Sequence, residues 1–533
     1  MVASETSVLV VGGGPVGLTL SCLLSAQRVD NVLVEAHRAT SPHPKARGVS
    51  ARSMEIFRRI GIEEEVRKAG LPAEHVSFYR GRDLVDPDFV RTGLVPQRDE
   101  NDRGDQDGDG DSSDERTPSP GLLCSQDALE PVLLRHATEP TGRRIRFGTR
   151  LLSFAEDDEG VLAVVEAVDT GERHRIRADW LVGCDGAASA VRAGAGIAME
   201  GPTGLGRYLS IRFEAPLGHV VADRASASYF LTTPGRGGFL AVDNDRHWIY
   251  QHPLAAGEAE PAGDPAGPAD PADRPRLAEL IRTAAGIPDL EVTVRDTSTW
   301  RMDAQLAADY RRSRVLLAGD AAHVIPPTGG HGMNTGIGDA DNLAWKLAAV
   351  TAGHAGAALL DSYAAERRPI ARQVIDVSAD NARNRGSYRI DDELLLTAVY
   401  RSDAVAPEPG ATPGHSALSV DGYRPACRPG ARLPHVRLAD GRSSLDLVGP
   451  GFTLLTAAEG PAWRRRAESA GRSGIPVTPR PLDREADPAR WTRLTGQGDT
   501  TAAVLVRPDG HVAWCGTRTV TDLQAVLRRI VAS

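Results

Sequence analysis

No stretch of this 533-residue chain holds the roughly 20 consecutive apolar residues that a bilayer crossing needs, and hydrophobic residues are 41% of the whole. A membrane-spanning helix is therefore not expected. Cysteine is scarce: Cys22, Cys124, Cys184, Cys427 and Cys515 include no C-x-x-C pair, so neither a zinc cluster nor a local redox dithiol is encoded. A basic surface is also missing, because the formal net charge is -9 at pH 7, which disfavours a nucleic-acid partner. Lysine is nearly absent. Lys45, Lys68 and Lys346 stand among 62 basic residues, a bias that with the many Ala, Gly and Pro residues reflects a GC-rich genome and carries no chemistry. The start of the chain passes from Met1 and Glu5 into Val8-Leu9-Val10-Val11 without the basic opening and cleavage site of a secretory signal, so a cytoplasmic location is expected.

What is present is length enough for two or three cores. The opening reads strand, glycine turn, helix, strand: Val8 to Val11, Gly12-Gly13-Gly14-Pro15-Val16-Gly17, an apolar helix through Leu24, then Asn31 to Glu35. Two later apolar runs also end in glycine turns, Trp180 to Gly186 and Val315 to Asp320. One nucleotide-binding domain is thus assembled from separated pieces, about 1–80, 120–200 and 290–385. Strand-like stretches between 205 and 255 predict an antiparallel sheet inserted into it, over about 81–119 and 201–289. A polar, helix-compatible stretch near 376–402 and a Pro-rich linker, Ala404 to Pro413, lead to a third unit at 415–533. Its Ala502 to Val506 and His511 to Cys515 segments read as a hairpin turned by Asp509-Gly510. The Asp-, Gly- and Ser-rich residues 97–119 and the Ala-, Pro- and Gly-rich residues 255–275 read as surface loops.

Gly12, Gly14 and Gly17 have the G-x-G-x-x-G spacing: one glycine for the turn, one for close approach to a pyrophosphate, one for helix-strand packing. Glu35, 18 residues after Gly17 at the next strand end, is placed to accept from ribose hydroxyls. This pattern predicts a dinucleotide without separating FAD from NAD. The segment Gly319-Asp320-Ala321-Ala322-His323, followed by Pro326-Pro327-Thr328-Gly329-Gly330-His331-Gly332-Met333-Asn334, adds a strand-end carboxylate suited to a ribityl hydroxyl. It also adds a glycine-rich turn before a helix, expected over Asp339 to Val350, whose positive end faces that turn.

On these residues, with Pro44-Lys45-Ala46-Arg47, Arg52-Ser53-Met54-Glu55, Gln126 with Glu130-Pro131, and Gly183-x-Asp185-Gly186-x-x-Ser189-x-x-Arg192, the chain resembles the FAD-dependent aromatic hydroxylases, the class A flavoprotein monooxygenases. The resemblance is to the branch that tailors polyketides and indolocarbazoles. It covers about the first 385 residues, and the last unit resembles that branch's thioredoxin-like appendage. It implies an α/β fold: a Rossmann-type FAD-binding domain, an inserted antiparallel-sheet substrate domain and a thioredoxin-like α/β domain. It implies FAD held by Gly12, Gly14, Pro15, Val16 and Gly17, with Glu35 on the ribose, Lys45, Arg47 and Gln126 along the pyrophosphate and ribityl side, and Asp185 and Gly186 near both FAD and nicotinamide. Asp320 falls on the ribityl chain, and Pro327, Gly330, Gly332, Met333 and Asn334 fall about the isoalloxazine.

The implied reaction is hydroxylation of a bulky aromatic, polyketide-like or phenolic, by O₂ activated at flavin C4a. The resemblance also implies NADPH or NADH as transient reductant, and no second full G-x-G-x-x-G is present. Baeyer-Villiger insertion, epoxidation, antibiotic inactivation or a non-catalytic flavoprotein that sequesters an intermediate remain alternatives; the absence of a W-x-W motif weighs against a halogenase. Substrate candidates are Tyr229, Phe239, Trp248 and Tyr250, with Trp300 beside them, and His331; strand aromatics are more often core than ligand-lining. No catalytic base is assigned, and His323 is read as structural. Asp105-x-Asp107-x-Asp109-Gly110 has Arg116 where a calcium loop needs Glu, so no metal is expected. Nothing in the sequence fixes the oligomeric state, a homodimer included.

Overall fold

The structure, a computed structural model, describes residues 4–71, 77–93, 116–138, 144–255, 270–383, 391, 393–407, 414–457, 461–471, 474–482, 488–496, 502–516 and 522–531. The Asp105 to Gly110 run, and most of 97–119 and 255–275, lie outside them. The end of the first of these loops is packed, however: Thr117 is buried and donates to Glu55 Oε1 at 2.6 Å.

Val8 to Val11 are buried on both faces, as an unbroken apolar run must be when a parallel strand lies between helices. The strand Ser4–Val11 sits centrally in a sheet ordered Arg311–Arg312, Val315–Leu317, Arg173–Gly183, Ser4–Val11, Asn31–Val34, Arg144–Arg146, parallel through its last five strands. Helices Pro15–Ala26 and Gly332–Thr351 pack together over this sheet. The second helix starts seven residues earlier than expected. Its glycines read as turn residues but serve packing: a Cβ on Gly336 would lie 2.5 Å from Val16 and 3.0 Å from the Gly319 Cα. The expected helical character near 376–402 belongs to the end of helix Asp361–Arg383 and to a short 3₁₀ turn, Leu394–Thr397.

The second sheet has seven strands, ordered Thr293–Met302, Gly206–Glu214, His247–Pro253, Gly238–Ala241, Ser228–Leu231, Ser77–Gly81, Val90–Gly93. It is antiparallel except where Ser228–Leu231 runs parallel to Ser77–Gly81. Its strands therefore reach beyond the expected inserted segments at both ends, taking in Ser77 to Arg80 and Thr293 to Met302. One face packs on helix Arg274–Ala285 through Leu277, Ile281 and Ala285.

In the third unit Phe452–Thr456 pairs in parallel with Val477–Pro481 and antiparallel with Ala503–Val506, which pairs with Val512–Gly516. Helices Pro461–Gly471, Pro488–Thr495 and Leu523–Val531 complete the thioredoxin-like arrangement. The hairpin turn contains Gly510 at φ 78°, as the Asp-Gly signal requires. Its core continues into the first unit, since Trp345 on helix Gly332–Thr351 packs edge-on against Phe452. Among the described residues no helix is long and apolar enough to cross a membrane.

Candidate active site

Val11, Gly183 and Leu317 lie side by side in register, so the turns that follow them converge at the carboxyl edge of the parallel sheet, where open α/β sheets bind ligands. Gly12 has φ 110°, and a Cβ there would come within 2.3 Å of the Cys184 carbonyl oxygen. A Cβ on Gly17 would meet the Gly12 carbonyl oxygen at 2.0 Å, whereas Gly14 has nothing within 4 Å. Helix Pro15–Ala26 therefore opens beside exposed space. No side chain caps it, which leaves its first N–H groups and the positive end of its dipole available to an anion. Glu35 Oε2 accepts from Gly13 N at 2.6 Å, and Oε1 from His37 N at 2.8 Å.

Arg47 is buried at 9% exposure, yet no carboxylate ion-pairs with it among the described residues. Its Nη2 donates to the Ala227 carbonyl at 2.5 Å and its Nη1 has no hydrogen-bond partner. Burial pushes the guanidinium pKa down to about 10. A buried cation in this condition costs several kcal/mol unless an anion meets it. Asp320 is the complementary case: it stands exposed in the cleft without a hydrogen bond, and the surrounding protein raises its carboxyl pKa, partly offset by His323 and Lys45. Gln126 donates from Nε2 to Glu130 Oε1 at 2.6 Å, which leaves its carbonyl oxygen for other use. Asp185 has a local duty, accepting from Ser189 Oγ and Val191 N as a cap on the short helix that follows.

Pro327 and Gly330 are exposed at the cleft, and Gly330, at φ 71°, has nothing within 4 Å. Gly332 and Met333 form the start of the long helix. Asn334 locks this turn in place: Oδ1 accepts from Ser50 N at 2.9 Å and Ser53 Oγ at 2.7 Å, and Nδ2 donates to the carbonyls of Gly48 and Gly330. His331 is turned inward, at 3% exposure with a pKa lowered to about 4 by burial. His323 Nε2 lies 2.6 Å from Asp339 Oδ2, which also receives Gly319 N, while Asp339 Oδ1 takes Arg367; His323 is a buried keystone.

Residues 5–378 match the family model for the FAD binding domain, and residues 426–533 the model for the aromatic-ring hydroxylase C-terminal domain. The chain belongs to the FAD-dependent aromatic-ring hydroxylases. It is 38% identical to the tetracenomycin B2 monooxygenase-dioxygenase of Streptomyces olivaceus, covering 99% of this chain and 98% of that one. The flavin-dependent monooxygenase PieE, solved with FAD and substrate, superposes with a TM-score of 0.86 at 30% identity over 99% of both chains. The aklavinone-11 hydroxylase solved with FAD and aklavinone gives 0.82 at 32% identity over 100% of both.

The residues of this hydroxylase fit FAD on their own terms. An uncapped helix start over an open glycine, an unpaired buried guanidinium and an unpaired carboxylate answer the pyrophosphate and the polyol of that cofactor. The strand aromatics divide differently. Tyr229, Phe239, Trp248 and Tyr250 are at most 1% exposed and form the core against helix Arg274–Ala285, on the face away from the FAD-binding domain. The opposite face carries Phe78, Phe230, Leu240, Ile249, Tyr208 and Trp300, with Ser210, Gln251 and Arg212 among them. It looks toward the Pro42 to Arg47 segment, because Arg212 Nη1 donates to the Pro42 carbonyl at 3.1 Å and Ser298 Oγ lies 3.4 Å from His43 Nε2. Strand alternation puts each residue next to a core aromatic on this opposite face, but it does not by itself say which face looks inward.

The two late cysteines, 88 residues apart, meet in space, where Cys515 Sγ donates to the Cys427 carbonyl at 3.8 Å. Contact with Cys515 and burial raise the Cys427 thiol pKa well above its ordinary value, which suppresses thiolate chemistry.

Proposed function

We propose that this enzyme hydroxylates a polycyclic, phenolic, polyketide-like substrate with O₂ and NADPH or NADH. The observation that carries the reading is the inner face of the seven-stranded sheet. Tyr208 stacks on Trp300 with centroids 4.4 Å apart, Phe78 lies over Phe230 at 6.1 Å, and Leu240 and Ile249 continue the apolar surface between them. Flat aromatic walls favour a flat, extended ring system. Ser210 and Gln251, both bonded to Trp300 Nε1, offer polar anchors for ring hydroxyls or carbonyls. The relatives named for tetracenomycin B2 and aklavinone support the same substrate class.

FAD, when bound, supplies the hydride acceptance and oxygen activation that no side chain can perform. The chain supplies the rest. Glu35 takes the ribose hydroxyls, Arg47 and the helix start at Pro15 the pyrophosphate, and Asp320 the ribityl chain, with Lys45 and Gln126 alongside. Gly332, Met333 and Asn334 present backbone N–H groups and a helix N-terminus to the ring, where negative charge is stabilised. The sheet's inner face covers the ring and keeps water from it.

The test is a comparison of substrate-stimulated NADPH oxidation with a panel of phenols. Polycyclic aromatic phenols should give kcat/KM values at least about tenfold above single-ring phenols, the factor that 1.4 kcal/mol of extra contact provides. Equal stimulation by both classes would overturn the substrate assignment.

A further inference from the structure

The thioredoxin-like unit reaches the flavin turn through one hairpin. Arg52, on helix Ala51–Arg59, donates from Nη2 both to Asp341 Oδ2 at 3.0 Å and to the Asp509 carbonyl at 2.5 Å. Arg507 from the same hairpin pairs with Glu366 at 2.6 and 2.9 Å, and Glu366 also takes Lys346 of the Gly332–Thr351 helix at 2.9 Å. Trp345 Nε1 donates to Asp509 Oδ2 at 3.2 Å. All these groups are buried. The hairpin is thus built into the far side of the helix whose first turn carries Gly332, Met333 and Asn334.

Between hairpin and helix lies a cavity of about 10 Å³, lined by the polar His511, Tyr400, Arg52, Arg367, Asp341 and Asn334 and by the apolar Gly338 and Leu395. That is close to the space one water needs, and a buried water needs two to four polar partners. His511 is 2% exposed and stacks on Tyr400 with ring centroids 4.1 Å apart. Its Nδ1 has no hydrogen-bond partner, the nearest carboxylate oxygen, Asp509 Oδ1, being 3.7 Å away. Asn334 has both amide protons and both oxygen lone pairs engaged. Arg367 does not: three N–H groups go to Asp339, Tyr400 Oη and the Thr335 carbonyl, and a guanidinium has five.

We propose that His511 is a positioning residue for the flavin site, acting through one water held in this cavity. The water bonds to His511 Nδ1 and to Arg367, and Arg367 holds the Thr335 carbonyl in the first turn of the flavin-facing helix. The thioredoxin-like unit then serves the active site with no thiol chemistry. This rests on the assignment of Gly332 to Asn334 to the isoalloxazine.

The experiment compares His511→Phe, which keeps the stack on Tyr400 and removes both nitrogens, with His511→Asn, which returns a polar nitrogen near the Nδ1 position. FAD affinity of the apoprotein, the visible flavin spectrum and the share of NADPH flux lost to H₂O₂ are read in each. His511→Phe should weaken FAD about two- to tenfold, the effect of one net hydrogen bond. It should also shift the flavin spectrum and raise the H₂O₂ share, and His511→Asn should restore all three toward wild type. Wild-type behaviour of His511→Phe, or an equal defect in both variants, overturns the proposal. A high-resolution structure of the wild-type holoenzyme tests it without any variant, since a cavity without an ordered water overturns it as well. If Asp320 variants lose FAD while His511→Phe does not, the flavin assignment stands and only this inference fails.

Discussion

Replacing Asp320 by Ala removes the carboxylate proposed to meet the ribityl chain. A charge-assisted hydrogen bond of this kind contributes about 1.5 to 3 kcal/mol, so the dissociation constant of FAD should rise about 10- to 150-fold. Asp320→Asn keeps an acceptor oxygen without the charge and should lose less, about fivefold if about 1 kcal/mol separates a charged from a neutral acceptor. The pH dependence has a definite sign. Desolvation by the protein walls around the cleft raises the Asp320 carboxyl although its surface is open to the cleft, so the FAD-free folded protein favours the protonated acid, and the stability this gives is lost as pH rises through the raised value. A ribityl hydroxyl that donates to the ionised form reverses the preference. FAD affinity should therefore fall as pH drops through that range in the wild type and stay flat in Asp320→Asn. Titration of deflavinated protein with FAD, followed by flavin fluorescence at several pH values, measures both effects. An unchanged dissociation constant in Asp320→Ala, or an equal pH slope in Asp320→Asn, would refute the reasoning.

The two faces of the substrate sheet are separable. Tyr229→Phe strips partners from Ser226 N and Asn244 Oδ1 in the core, and should cost about 1 to 3 kcal/mol in denaturant unfolding with KM unchanged. Phe230→Ala, one residue on, should raise KM for the aromatic substrate several-fold and leave the unfolding midpoint nearly in place. Glu366→Gln breaks the buried pairs with Arg507 and Lys346 and should destabilise by about 3 to 5 kcal/mol, read from urea denaturation of the holoenzyme. The double variant Cys427→Ala, Cys515→Ala should keep the wild-type oxygenation rate and coupling; a many-fold loss at unchanged flavin content would give these thiols a part in the chemistry.

The turns that converge at the carboxyl edge of the parallel sheet were legible because each is a local event. A strand ends, a glycine allows a close approach, and a helix begins, all within a few residues, as at Gly12 and again at Gly319. The late hairpin was legible for the same reason, Asp509-Gly510 being a short-range signal. Which aromatics face the ligand was not. Tyr229-Phe230 and Trp248-Ile249-Tyr250 place apolar groups on both faces of the sheet, so alternation identifies two faces without marking the inner one. Only the packing of helix Arg274–Ala285 decides, and that contact spans the sheet. Trp300 was legible as an aromatic, and its place on the same face as Tyr208 only once its strand was found paired with Gly206–Glu214. The buried charge network was hidden more deeply. Glu55 meets Arg432 across 377 positions, and Arg507 meets Glu366 across 141, while in sequence each reads as an ordinary solvated charge.

Incubation of the yellow holoenzyme with NADPH, a polycyclic phenol and ¹⁸O₂, followed by mass spectrometry of the product, addresses the central claim most directly. A product bearing one labelled oxygen atom, formed only when FAD and NADPH are both present, is the expected result. Unlabelled product, or NADPH oxidation that yields only H₂O₂ with every aromatic tried, would contradict the assignment of this chain as an aromatic monooxygenase.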